Sequence, residues 1–485
     1  MANIENLKQY KRIHMIGIGG TSMSGIAEIL KKWGFFITGS DTHPSEVTQK
    51  LSETGIKVII GHEPRMVERA DLVVYSAAVK DSDPELSKAR ELGIKTVERK
   101  VILGEITRSF RNTICISGTH GKSTTTSMVS MCFLEGKRDP TIQVGAVLDE
   151  IGGNYRVGNS ENFILEACEY SESFLEFSPK AEIILNIDND HLDYYKNIDN
   201  IVDAFVKYIK LLPDDGILVY NVDDVHCKHF SQYTKAKSLT FGIESKNANY
   251  IAKNIEFDEN GYPSFDVYHN NLFFKSFSLS VPGKHNVYNA LACIALCDEF
   301  GIDKEDIKVG LKKFHGAGRR FEYLGEVNGA KVFDDYGHHP TEITAVANAL
   351  KKKKYNHSWV IFQPHTYSRT KALLDDFAKC LTNFDNIIVT DIYAARETNT
   401  FDVSAKDIVD KIENLGRNAY YIPNFDDIIE FVKRNVKKDD IIITQGAGTI
   451  TKVGHKLVED NNSKEKTNQY WLVFICNCFQ KELDM

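Results

Sequence analysis

The chain has 485 residues, room for about three domains at ~150 residues each, and its 42% hydrophobic and 26% charged residues are an ordinary globular balance. A net charge of −8 argues against a nucleic-acid binder, which needs a basic face, and the lysine run 351–354 reads as a solvated helix surface. Nine cysteines with no CxxC pair and no zinc-type spacing point to a reducing compartment, and the apolar run at 471–475 is too short to cross a bilayer.

The first hundred residues alternate strand and helix signals. Strands are expected at 12–20, 35–41, 57–60 and 71–79, and a helix at 23–34, which implies a parallel sheet covered by helices. Between the first strand and helix lies GIGGTSMSG (17–25), close to the dinucleotide fingerprint. Gly17 and Gly19 fit it, Ser22 stands at its third glycine, and Asp41 ends the second strand where a ribose hydroxyl is bound. A nicotinamide-dependent dehydrogenase is the rival reading here.

A second phosphate-binding pattern opens the next block. Strand NTICIS runs into GTHGKSTTT (118–126) and a helix, a shortened Walker motif with Ile116 at the outer glycine position. Lys122 can reach β/γ oxygens, the Ser123 hydroxyl can ligate Mg²⁺, and backbone N–H groups at the helix start receive anions. Strands 162–167 and 181–187 end in LEACEYSESF and NIDNDHLDYY. Glu166 at the first tip, with Asp188, Asp190, His191 and Asp193 at the second, offers ligands for Mg²⁺ or Mn²⁺. Helices are expected at 200–212 and 286–301, with a small antiparallel patch at 249–281 between them.

GAGRRFE (316–322) reads as a hinge in which Arg319 or Arg320 neutralises phosphate charge. Beyond it, strands near 331–336, 359–364, 386–393, 419–423 and 440–446 make another doubly wound unit. Four of their ends carry DDYGHHPTE, QPHTYSRT, DIYAARE and TQGAGT, a polar rim where such sheets bind ligands. The tail from 460 fits none of these units.

In this order, the motifs together with VPGKHNVYNALA (281–292) closely resemble the Mur ligase family over about residues 10–455, and within it the branch that adds L-alanine. The resemblance implies an α/β protein of three domains. They are a Rossmann-like UDP-sugar domain (1–108), a central P-loop ATPase domain with the antiparallel patch (109–322) and a Rossmann-like C-terminal domain (323–459), with 460–485 unassigned. It implies amide formation between L-alanine and UDP-N-acetylmuramate through an acyl phosphate, with ATP as co-substrate and Mg²⁺ or Mn²⁺ as cofactor, in the bacterial cytoplasm. No nucleic acid and no membrane insertion are implied, and monomer and dimer stay equally open. A tripeptide-recycling ligase of the same family is the nearest alternative.

Residue by residue, the resemblance assigns ATP to Gly118, Thr119, His120, Gly121, Lys122, Ser123, Thr124, Asn286, Asn289, Arg320 and Asp335. It assigns the UDP-sugar to Gly19, Thr21, Ser22, Met23, Ser24, Asp41, Ser76, His191, Tyr336, His365 and Arg369. Metal falls to Ser123, Glu166 and His191, and catalysis to Lys122, Glu166, His191, Arg320 and His338, with Glu166, His191 and His338 open as the base. Three positions depart from the family pattern: Ser22 for glycine, Ser123 for threonine and Thr366 for arginine.

Overall fold

The computed structural model describes residues 7–459 apart from 260, 317, 352 and 396; the tail at 460–485 lies outside the described residues. They form two compact units, one of residues up to 258 with 262–318, the other starting at Arg319.

The first unit opens with β1 (Arg12–Ile16), α1 (Thr21–Lys32), β2 (Phe36–Asp41), α2 (Glu46–Glu53), β3 (Lys57–Ile60), β4 (Leu72–Tyr75), α3 (Pro84–Glu91) and β5 (Lys95–Glu98). All five strands are parallel, in the order β3-β2-β1-β4-β5. The order reverses between β1 and β4, and a ligand crevice forms beyond the carboxyl ends of strands at such a switch point.

After α4 (Arg99–Arg108) the same unit continues with β6 (Asn112–Ser117), α5 (Lys122–Glu135), β7 (Thr141–Leu148), β8 (Gly153–Arg156), β9 (Asn162–Glu166) and β10 (Ala181–Ile184). Then come α6 (Leu192–Tyr195), α7 (Ile198–Ile209), β11 (Ile217–Asn221), β12 (Lys237–Gly242), β13 (Tyr250–Phe257), β14 (Pro263–His269), β15 (Leu272–Ser278), α8 (Lys284–Glu299) and α9 (Lys304–Lys313). These strands make one ten-stranded sheet, ordered β15-β14-β13-β12-β11-β10-β6-β9-β7-β8. The expected antiparallel patch is therefore not separate. Phe241 and Gly242 pair in parallel with Tyr250 and Ile251, so β13–β15 extend the sheet.

The two sheets share a core. Ile13, Met15 and Leu30 around the first sheet belong to one buried cluster with Phe163, Leu165 and Phe205 around the second. The opposite face of the large sheet packs Ile114 and Ile116 against Met128 and Val129 of α5 and Leu291 of α8. Residues 290–297 of α8 are wholly buried, and a helix apolar on every side is one enclosed by its neighbours.

The second unit carries β16 (Glu322–Val327), β17 (Ala330–Asp335), α10 (Pro340–Leu350), β18 (Ser358–Phe362), α11 (Tyr367–Ala372), α12 (Leu374–Leu381) and β19 (Asn386–Val389). It ends with α13 (Ala405–Asn414), β20 (Ala419–Tyr421), α14 (Phe425–Asn435), β21 (Ile441–Gln445) and helical residues 451–459. β16 is an antiparallel edge on an otherwise parallel sheet, β16-β17-β21-β18-β19-β20. The last strand is inserted between β17 and β18, so Gln445 stands in register with both Asp335 and Phe362. Three strand ends thus open onto one rim.

Candidate functional site

The phosphate loop joins β6 to α5. Gly118 has φ +133 and Gly121 φ +88, left-handed conformations that a side chain resists. A Cβ on Gly121 would lie 2.6 Å from Asn289 Oδ1, and one on Gly118 would lie 2.9 Å from Leu185 Cβ. The loop is braced from the neighbouring strand. His120 N donates to Asn186 Oδ1 at 2.8 Å, Asn186 Nδ2 donates to the His120 carbonyl, and Thr119 Oγ1 accepts from Asp188 N at 2.9 Å. Asp188 also meets His120 Nε2 at 3.1 Å, so it supports the loop.

Lys122, the first residue of α5, folds back over the loop. Its Nζ donates to the carbonyls of Gly118 (2.5 Å) and Thr119 (2.9 Å) and to Glu169 Oε1 (3.0 Å). Burial works against the ammonium more than any single partner favours it, but the charge and hydrogen bond of Glu169, with the charges of Cys168 and Glu166, together outweigh it and hold the lysine above its ordinary range. Glu169 is 2% exposed, and its Oε2, also 3.0 Å from Nζ, accepts no hydrogen bond. The chain leaves this position through a tight turn: Ser171 and Glu172 take φ +53 and +51, two left-handed non-glycine residues in succession. Strain of this kind concentrates at functional sites.

Three more expected groups gather here. Glu166, at the end of β9, accepts from Gly145 N at 2.8 Å through Oε1. His191, itself left-handed at φ +54, brings Nε2 to 3.9 Å from Glu169 Oε1 and 3.8 Å from Asp190 Oδ2, with its ring 4.7 Å from that of Tyr170. Asn286 and Asn289, on the first turns of α8, bond to each other at 3.0 Å, and Asn289 meets Gly121. Hydroxyl and carboxylate oxygens at the loop and the β9 tip form a hard donor set, which fits Mg²⁺ or Mn²⁺.

At the first sheet, a cavity of about 490 Å³ opens at the switch point, lined by Gly17, Gly20, Ser40, Asp41, His62 and Ser76 among others. Asp41 Oδ2 accepts from Gly19 N at 2.9 Å and so fixes the glycine turn as well as facing the cavity. Met23 and Ser24 are buried, and the Ser24 hydroxyl donates to the Thr21 carbonyl at 3.0 Å. Ser22 has a structural role: its Oγ accepts from Arg99 Nη1 (2.9 Å) and Gln143 Nε2 (2.6 Å). With Asn154 Nδ2 donating to the Thr21 carbonyl, it fastens the glycine turn to the large sheet.

In the second unit the rim groups also converge. Asp335 Oδ1 accepts from Gly337 N (2.8 Å) and Gln445 Nε2 (3.1 Å), and Oδ2 accepts from Phe321 N (2.9 Å). Burial pushes its carboxyl up to about 6, opposed by the Arg320 charge and the Gly337 N–H. Arg319 is committed to scaffolding: Nε bonds buried Asp334 at 2.9 Å and Nη2 the Gly446 carbonyl at 2.6 Å. Arg320 instead faces Glu342 at 3.6 Å and the Tyr336 ring at 5.2 Å. The rings of Tyr336, His338, His365 and Tyr393 follow one another at 5.5, 5.6 and 5.7 Å, and Arg369 Nη1 lies 3.2 Å from His365 Nδ1. Thr366 holds φ +66, a costly conformation for a β-branched residue, beside His365.

Residues 12–111 match the model of the Mur ligase family, catalytic domain; 116–297 match the Mur ligase middle domain; and 319–448 match the Mur ligase, glutamate ligase domain. The chain is 47% identical to the UDP-N-acetylmuramate–L-alanine ligase of Acetivibrio thermocellus over 93% of its own length and 96% of the relative's. The chain belongs to the Mur ligase family. The corresponding protein of Caldanaerobacter subterraneus subsp. tengcongensis is 48% identical, with 94% and 99% covered. Among solved structures, the UDP-N-acetylmuramate-alanine ligase of Thermotoga maritima superimposes with a TM-score of 0.80 at 30% identity, over 93% of this chain and 99% of that one.

In this Mur ligase the expected loop, carboxylate, histidine and asparagines of the first unit meet around Lys122, and the expected Arg320, Asp335, Tyr336, His338, His365 and Arg369 meet on the second unit's rim. Glu169 and Asn186 escaped sequence reasoning. Asn186 looked like strand sequence. Glu169 lies three residues from Glu166 in the same polar stretch, and only the left-handed turn after it aims it at Lys122.

Proposed function

We propose that the protein joins L-alanine to the lactyl carboxylate of UDP-N-acetylmuramate, consuming ATP and releasing ADP and phosphate. The observation that carries this is Lys122, anchored over the Gly118–Gly121 loop by Glu169, in a chain 47% identical to alanine-adding ligases along nearly its whole length. A carboxylate does not acylate an amine at neutral pH because its leaving group would be oxide. Transfer of the γ-phosphoryl group to the carboxylate oxygen makes phosphate the leaving group.

In that step Lys122 and the loop N–H groups carry the charge of the triphosphate. Ser123, Glu166 and His191 would hold Mg²⁺ or Mn²⁺, which would supply charge neutralisation at the transferring phosphoryl. Asn286 and Asn289 shape the nucleotide's seat beside Gly121. The turn from Gly19 to Ser24, with Asp41 and Ser76, takes the UDP part of the acceptor. Arg320 and Asp335 complete ATP binding, while Tyr336, His365 and Arg369 hold the acceptor near its reacting carboxylate. The alanine amine then attacks the acyl carbon, phosphate departs, and Glu166, His191 or His338 takes the amine proton. These roles would divide the labour among the segments 1–108, 109–322 and 323–459, and a reaction that consumes ATP and a UDP-sugar fits the bacterial cytoplasm.

Among the described residues no helix is long and apolar enough to cross a membrane. The test is phosphate release with UDP-N-acetylmuramate and L-alanine, set against the same acceptor with a preformed tripeptide. Turnover with alanine and none with tripeptide is expected; the reverse assigns the recycling reaction.

A further inference from the structure

Three cysteines that the reaction does not use converge in the core of the first unit. Cys132 lies on α5, and Cys293 and Cys297 lie one turn apart on α8; all three are wholly buried. Cys132 Sγ is 3.6 Å from Cys293 Sγ, Cys293 Sγ is 3.8 Å from Cys297 Sγ, and the three sulfurs lie within 4.8 Å of one another. The carbonyl oxygen of Ile307, on α9, is 3.6 Å from Cys132 Sγ.

The 3.6 and 3.8 Å sulfur spacings match those of a coordination shell. Zinc–sulfur bonds of about 2.3 Å at tetrahedral angles put neighbouring sulfurs about 3.8 Å apart, and an oxygen donor at about 2.1 Å would sit about 3.6 Å from a sulfur. The close approach of α9 is also specific. A Cβ on Gly310 would lie 2.8 Å from Cys132 Cα, so only glycine lets α9 press its backbone onto α5 at the cysteine.

We propose that Cys132, Cys293 and Cys297 form a binding site for one thiophilic divalent cation of the zinc class. Three thiols are the soft donors that select such ions over Mg²⁺. Each metal–sulfur bond forms as a thiol proton leaves to solvent, so loading releases three protons and transfers no electrons. The site is not part of the reacting centre. Ten residues separate Cys132 from Lys122, about 15 Å along α5 at 1.5 Å per residue. An ion there ties α5, which begins at the phosphate loop, to α8, whose first turns carry Asn286 and Asn289. It acts by fixing the two helices whose first turns frame the nucleotide. The competing account, in which the thiols are only small apolar fillers, predicts no metal at all.

Cobalt(II) is the probe. The full-length protein is titrated with Co²⁺ under reducing, anaerobic conditions, both folded and after refolding with the ion present. The expected result is one cobalt per chain, thiolate-to-cobalt charge-transfer absorption in the near ultraviolet, tetrahedral ligand-field bands in the red, and bleaching of both by Zn²⁺. Cys293→Ala and Cys297→Ser should each weaken binding by more than about tenfold, with circular dichroism confirming the fold. Cys380→Ala, in the second unit, should bind as wild type does. Absence of a thiolate band by both loading routes overturns the proposal, as do bands that persist unchanged in a folded Cys293→Ala or Cys297→Ser variant.

Discussion

Glu169→Gln removes the charge that faces Lys122. The side chains are 2% and 17% exposed and meet at 3.0 Å, so the pair sits largely out of water. At an effective dielectric constant of about 20, the attraction at that distance is of order 5 kcal/mol before desolvation is charged against it. Removing one partner of a buried pair strands the other charge, at a cost of about 3–5 kcal/mol. The Gly118 and Thr119 carbonyls still accept from the ammonium, which places Glu169→Gln near the lower end, about 3 kcal/mol. Lys122→Met strands Glu169 instead and should cost about as much. The double variant removes both charges, so its cost should stay near ~3 kcal/mol rather than the ~6 of independent sites. Urea denaturation of the four proteins, comparing midpoints at equal slope, measures the cycle. Additive single-variant costs, to within ~0.5 kcal/mol, would refute a direct pairing of the two charges. Saturating ATP should shrink the cost of Glu169→Gln, because the triphosphate then takes over the lysine.

Gly121→Ala should cost about 1–3 kcal/mol from its left-handed backbone and its collision with Asn289, and should abolish ATP binding by calorimetry while UDP-N-acetylmuramate still binds. Ser22→Ala removes the hydroxyl that accepts from Arg99 and Gln143 and should lower stability by about 1 kcal/mol in thermal denaturation. Asp335 has its carboxyl raised by burial to about 6, above its value in the unfolded chain. The folded protein therefore holds that proton more tightly, and this contribution to stability grows as pH falls from about 6 to about 4. Relative to Asp335→Asn, wild type should gain about 2–3 kcal/mol between about pH 7 and about pH 4 in urea melts; a flat difference contradicts the shift.

The alternation of strand and helix was legible because parallel strands are short apolar runs. NTICIS and NFILE became β6 and β9 with nearly the expected bounds. Two strands with polar or partly exposed residues were not legible: Lys95–Glu98 carries two charges in four residues, and Thr141–Leu148 is half exposed toward its end. The antiparallel segment 249–281 was recognised from its period of two, but its attachment to β12 is a long-range pairing that no local pattern encodes. Much the same divides the site. Lys122, Ser123, Glu166 and His191 stand where turn chemistry and strand ends predict functional groups. Glu169 depends on two left-handed residues, Ser171 and Glu172, that sequence propensity disfavours. Their residue types alone left Arg319 and Arg320 open and only the resemblance chose Arg320; the buried Asp334 and the Gly446 carbonyl hold Arg319 as the scaffold arginine.

The most direct test of the central claim is phosphate release by the purified protein with ATP and Mg²⁺, with each acceptor omitted in turn. Release should require both UDP-N-acetylmuramate and L-alanine, match amide formed one for one, and vanish in Lys122→Ala while the UDP-sugar still binds. Equal phosphate release with and without the muramyl acceptor, with no amide produced, would contradict the account.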